Sequence, residues 1–156
     1  MRNKQKGFSL IELLIVVAII LIIAAIAIPN LLRSKMAANE ASAVGSLRTI
    51  NTASVEFSTT YGGYPPLLTN LSPATPATST SADLVDSVLA GGTKSGYTFT
   101  YAAVTSDANG NILSYTIVAN PNTRGTTGQR GFFTNQTGVI RADATTAATA
   151  ASTPIS

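Results

Sequence analysis

A chain of 156 residues holds one small domain with an appendage and no second compact domain. Its formal charge of +3 comes from ten Lys and Arg against seven Asp and Glu, but Arg2, Lys4 and Lys6 supply three of the ten, so the remainder balances at seven of each sign and gives no footing for nucleic-acid binding by the body. Cysteine and histidine are both absent, which excludes a disulfide framework, a thiolate nucleophile and imidazole acid–base or metal-ligand chemistry; no enzyme activity, cofactor or metal centre is expected.

The first element in chain order is a basic leader, residues 1–7, followed by a run from Phe8 to Ile28 that is polar only at Ser9 and Glu12. As a helix these residues span roughly 31 Å, the thickness of a bilayer's hydrocarbon core, so residues 8–28 read as a transmembrane segment. The three cations before the run place the N-terminus in the cytoplasm; Arg33 and Lys35 beyond it weaken that asymmetry without reversing it. An ionisable side chain at mid-depth costs on the order of 2.5 to 3.5 kcal/mol on insertion scales, so Glu12 needs a role.

The helical pattern continues past Pro29, which is expected to kink or loosen it because proline donates nothing to the carbonyl of Ala25. Residues 29–61 place Val44, Leu47, Ile50, Phe57 and Tyr61 in one apolar stripe, and Gly62, Gly63, Pro65 and Pro66 end it. The expected helix is about 54 residues or roughly 80 Å long, its first half apolar all round and its second half one-sided.

Residues 62–142 read as a globular head. A polar loop, TNLSPATPATSTS, leads to a short amphipathic segment in which Leu84, Val85, Val88 and Leu89 share a side, with Asp83 and Asp86 at its start serving the helix dipole. GYTFTYAAV and ILSYTIVA alternate around the Asn-Gly turn of DANGN, an antiparallel hairpin. A shorter hairpin runs from Arg130–Thr134 through Asn135–Gly138 to VIRA. Tyr97, Phe99, Tyr101, Phe132 and Phe133 belong to the sheet core, while Arg124, Arg130 and Arg141 read as cations solvating loops. The tail, residues 143–156, nearly all Ala, Thr and Ser, is expected to be flexible. The fold class is α+β: a long N-terminal helix packed by its stripe on an antiparallel sheet of about four strands.

Three readings compete for residues 1–30. A secretory signal peptide cut after Ala27 fits the small residues Ala25 and Ala27, but the apolar run is too long and carries an acid. In a plain membrane anchor displaying a monomeric binding module, Ser9-Leu10-Ile11-Glu12 is a capping box at a helix start. The third reading is a resemblance: KGFSLIELLIVVAIILIIAAIAIPN resembles the N-terminal signature of type IV pilins and of the pseudopilins of type II secretion, with a basic leader ending in glycine, an aromatic, a glutamate at fixed spacing and a proline-interrupted apolar helix.

That resemblance implies processing by a prepilin peptidase and methyltransferase, which cuts after Gly7 and methylates the new terminus at Phe8. It implies that Glu12 pairs with the terminal amine of a neighbouring subunit and sets register as copies polymerise through an inner-membrane assembly platform. The product is then a helical homopolymer at the cell surface for motility, adhesion or DNA uptake. Pairing of Glu12 with the Phe8 amine of its own chain stays open, since the two are neighbours on one helical face. The chain departs from a common pilin pattern in having no cysteine pair near its C-terminus. It also lacks the acidic calcium loop of the major pseudopilin, Asp143 being alone, which tilts the resemblance toward a pilin.

Overall fold

The computed structural model describes residues 7–155, so the basic cluster Arg2, Lys4 and Lys6 lies outside the described residues. The chain forms two compact units, Met1–Lys35 and Met36–Ser156. Helix α1, Leu10–Tyr61, contributes to both.

In the first unit the described residues consist of the start of α1 and the three residues before it, Gly7, Phe8 and Ser9. Pro29 lies inside the continuous helix, and the side chain of Asn30 donates to the carbonyl of Ile26 at 3.0 Å, one turn back and next to the carbonyl that proline leaves without a donor. From Gly7 to Lys35 every residue is exposed except Ala24, which is half-buried.

The second unit has a core. One face of α1 buries Ala43, Leu47, Ile50, Ala53 and Phe57, recurring at three- and four-residue spacings, so the expected stripe is there; Val44 and Tyr61 flank it, half-buried. The helix ends where Gly62 takes φ +84°, the left-handed conformation that a residue with a Cβ adopts only at a cost.

A connection from Gly62 to Gly92 carries a 3-10 helix, Leu68–Leu71, and a one-turn helix α2, Ser87–Ala90. The amphipathic segment is thus shorter than expected. Asp86 caps α2 by accepting from the Leu89 N–H at 3.0 Å, but Asp83 stands before it at φ +54°, outside any helix. Val85 and Leu89 are buried, Leu84 is half-buried and Val88 is exposed.

Six antiparallel strands follow in meander order: β1 Thr93–Lys94, β2 Tyr97–Ser106, β3 Ile112–Pro121, β4 Gly131–Asn135, β5 Arg141–Asp143 and β6 Thr153–Pro154. Strands β2 to β5 are the expected four. The β2–β3 hairpin pairs Phe99 with Ala119 and Tyr101 with Ile117, and it turns at Asp107–Asn111, where the Asp107 carboxylate accepts from the N–H groups of Asn109 and Asn111 and Gly110 takes φ +86°. Inward-facing Tyr97, Phe99, Tyr115, Ile117 and Phe132 join Leu47, Ile50 and Phe57 of α1 in a single core. Strands β1 and β6 are two residues each, too short for any alternation to show in sequence.

The chain after Asp143, expected as a flexible tail, is laid back on the head. Ile155 donates to the Ile140 carbonyl at 3.0 Å, β6 pairs with β5, and Ala148 is buried. What holds it is hydrogen bonding: Arg124 donates to the carbonyls of Ala144 and Thr146, Arg141 to that of Ser152, and the Asp143 carboxylate accepts from the Thr145 and Thr146 N–H groups. An apolar pattern is not needed for such fastening, so its absence from the sequence misleads.

Candidate functional site: the exposed N-terminal helix and its carboxylate

Ser9 is the residue before α1, and its carbonyl accepts the first intrahelical bond, from the Leu13 N–H at 3.2 Å. Its own N–H, which the helix cannot satisfy, donates to Glu12 Oε2 at 2.9 Å. This is the glutamate half of the S-x-x-E capping box, an acid turned back onto the positive end of the helix. Gly7 and Phe8 precede it without regular secondary structure; no atom lies within 4 Å of where a Gly7 Cβ would stand, and Phe8 is 79% exposed. Gly7, Phe8 and Glu12 come together within six residues, whereas Pro29 stands almost five turns further along α1.

Between Phe8 and Leu32, 17 large apolar side chains are exposed. The most apolar stretch of 18 residues has a mean hydropathy of 3.3, and none of it is buried by the chain itself. At about 1.5 to 3 kcal/mol per large apolar side chain, leaving all of these in water costs tens of kcal/mol, more than a small domain's whole stability. Some other medium or surface must cover them.

In the second unit a carboxylate that sequence reasoning passed over fastens α1 to the head. Glu40, 8% exposed, accepts at Oε1 from the N–H groups of Gln129 (2.8 Å) and Arg130 (3.1 Å), and at Oε2 from Arg130 Nε (2.7 Å). Burial, the largest single influence, pushes its pKa up. The two backbone N–H bonds and the guanidinium together outweigh it and hold the carboxyl below its ordinary value. Arg130 also lies over the Phe132 ring at 5.4 Å, and its carbonyl accepts from the Tyr97 hydroxyl at 2.8 Å, so this arginine is a structural tie and not a solvated loop cation. The signal was present: counting back seven from Leu47 puts Glu40 on the apolar stripe, where a charge needs a partner. Among the described residues no three His, Cys, Asp or Glu side chains gather as a metal site.

Residues 2–28 match the family model described as the prokaryotic N-terminal methylation motif. The N-terminal stretch thus carries the methylation motif, over 27 of the 156 residues. It is similar to the type IV wide pilus major component PilA4 of Thermus thermophilus, 65% identical over 40 residues that make up 26% of this chain and 30% of that protein. It is also similar to the type IV major pilin protein PilA of Myxococcus xanthus, 46% identical over 54 residues, 35% of this chain and 24% of that protein. The chain thus spans about a third or less of the length of these two pilins. The methylation motif takes in Gly7, Phe8 and Glu12 and ends at the residue before Pro29.

Proposed function

We propose that this chain is a pilin subunit that polymerises into a type IV filament at the cell surface, serving motility, adhesion or DNA uptake. The observation that carries the proposal is the pairing of a methylation motif with a helix whose N-terminal apolar stretch is left exposed among the described residues. In this reading the precursor is a single-pass protein of the cytoplasmic membrane with its N-terminus in the cytoplasm, where lipid covers the helix. A prepilin peptidase and methyltransferase cuts after Gly7 and methylates Phe8. The assembly platform then moves the helix out of lipid and against other copies, which cover the same surface again. The subunit is structural, with no catalytic role.

Glu12 orders that exchange. Cleavage leaves an ammonium on Phe8, and the Ser9 N–H that holds Glu12 Oε2 lies downstream of the cut, so the carboxylate stays fixed while presenting its other oxygen to a neighbour's terminus. Opposite charges about 4 Å apart gain up to roughly 4 kcal/mol at an effective dielectric near 20. Desolvation offsets much of this, leaving a preference for one stagger over slid alternatives. Pro29 loosens the helix where it leaves the membrane segment. Identical head-to-tail contacts that do not close generate an open filament.

The test is mass spectrometry of protein from its native host together with filament counts. A mature chain beginning at a methylated Phe8 and a Glu12→Ala variant that inserts normally but yields few filaments are expected. A chain still carrying residues 1–7, or normal filament yield from Glu12→Ala, refutes the processing or the register role respectively.

A further inference from the structure

The face of α1 turned away from the head core, from Gly45 to Thr59, is exposed at Arg48, Thr52, Val55, Glu56 and Thr59. Arg48 and Glu56 lie eight residues apart, a little over two turns and about 80° around the helix, and both line one depression on the outward face. Neither forms an ion pair or a side-chain hydrogen bond among the described residues. Most other charges in the head are engaged: Glu40 and Arg130 pair, Asp86 and Lys94 pair at 3.0 Å, Arg124 and Arg141 hold carbonyls, and the Asp107 and Asp143 carboxylates accept from backbone N–H groups; Asp83, exposed in the connection before α2, is the other charge without a side-chain partner among the described residues. Between the two unpaired charges the face is short and partly apolar, with Thr52 and a half-exposed Val55, and it is flanked by shallow depressions of about 330 and 440 Å³.

Gly45 is a second, independent observation. It sits inside the helix with ordinary helical φ, where glycine weakens the helix relative to alanine, and a Cβ built there meets nothing within 4 Å. Its own chain gives no reason for it. A backbone approached closely from outside does.

We infer that this face docks a second copy of the chain, parallel and displaced by eight residues, or about 12 Å along the helix, so that Arg48 of one copy meets Glu56 of the next. The face carries one charge of each sign, so it is complementary to itself. Each displaced copy satisfies one pair and leaves one cation and one anion for further copies, an open series. In this arrangement Gly45 comes close to the short Thr52 of its neighbour, which lets the two backbones approach. The parallel orientation rests on the pilin reading; the pairing of the two charges rests on the face.

Charge reversal in the full-length protein, in its host, tests this. Arg48→Glu and Glu56→Arg singly are expected to reduce filament yield about tenfold through like-charge contact, and the double variant to restore it, with membrane levels of the precursor unchanged throughout. Singles that assemble like the unmodified chain, or a double that does not recover, overturn the contact while leaving the pilin reading in place. Absence of filaments from the unmodified chain defeats the pilin reading itself. Since the chain has no cysteine, Thr52→Cys gives an unambiguous reporter. Disulfide-linked pairs of that variant indicate an antiparallel dimer centred on Thr52 and overturn the staggered arrangement, whereas none is expected. Gly45→Leu is expected to lower filament yield without lowering the melting temperature of the head, and an unaffected yield overturns the close approach.

Discussion

Leu21 and Leu47 lie on the same helix, yet the first is 62% exposed and the second is fully buried. The stretch before residue 36 buries none of its apolar side chains within the chain, and the stretch after Glu40 buries a periodic subset against the sheet. The chemistry of the side chains is the same; what differs is the source of the cover. For the head it is the chain's own sheet, so this half's stability is intramolecular. For the N-terminal half it must come from outside the chain, so its stability depends on concentration and medium.

The comparison is broken most completely by separating the halves. No residue of the buried core precedes Glu40, so a chain starting at Met36 is expected to be monomeric and folded in water, whereas the complete chain needs detergent. Circular dichroism and gel filtration check this, and a fragment that aggregates or lacks a cooperative melt refutes the division. Within the fragment, Leu47→Ala is expected to cost about 3 kcal/mol of unfolding free energy through the cavity it leaves. In the complete chain in detergent, Leu21→Ala is expected to leave the head's melting transition unchanged. Equal shifts from both substitutions erase the distinction.

A smaller effect sharpens it. Glu40→Ala in the fragment strands the Gln129 and Arg130 N–H groups and the guanidinium, and is expected to cost about 2 kcal/mol, less than for a fully enclosed pair because Arg130 is 45% exposed. Urea titration reads it. Glu40→Gln, which keeps one acceptor, is expected to fall between. A neutral outcome for both returns Arg130 to the status of a solvated cation.

How much of this was legible follows from which forces leave a trace in sequence. Burial does: Leu47, Ile50 and Phe57 at helical spacing, and Tyr97, Phe99 and Tyr101 at a period of two, announced the core and the two central hairpins. The N-terminal segment was legible as an apolar helix because its composition holds over more than twenty consecutive residues. Hydrogen bonds between backbone and isolated polar side chains leave almost none. Arg124 holding the carbonyls of Ala144 and Thr146 needs one side chain with no pattern around it, and the two-residue strands β1 and β6 need only backbone groups that any residue but proline can donate. Glu40 is intermediate: its place on the stripe marks it as a charge needing a partner, but it was passed over and Arg130 read as a loop cation because the two lie 90 residues apart. At Glu12 the capping box was also legible, and the structure shows the glutamate's bond to Ser9 N–H.

The smallest effect concerns pH in the head fragment, and its signs can be worked out. Glu40 is held below its ordinary 4.5, so its contribution is complete above that value and is lost as pH falls through the depressed folded value. Tyr97 and Tyr115 are pushed up to about 12 from 10, chiefly by burial, and Tyr101 is raised further for the same reason. In each the folded state retains a proton that the unfolded state releases above pH 10, so stability is complete below 10 and declines as pH rises toward 12. No histidine titrates between these limits. Urea midpoints for the fragment are therefore expected to be nearly level from about pH 6 to 9, to fall on the acid side with a slope that Glu40→Gln reduces, and to fall on the alkaline side as tyrosinate absorbance rises. A transition within the level region, or an acid limb unchanged by Glu40→Gln, shows that charge and burial in the head are arranged differently from the Glu40 and tyrosine contacts.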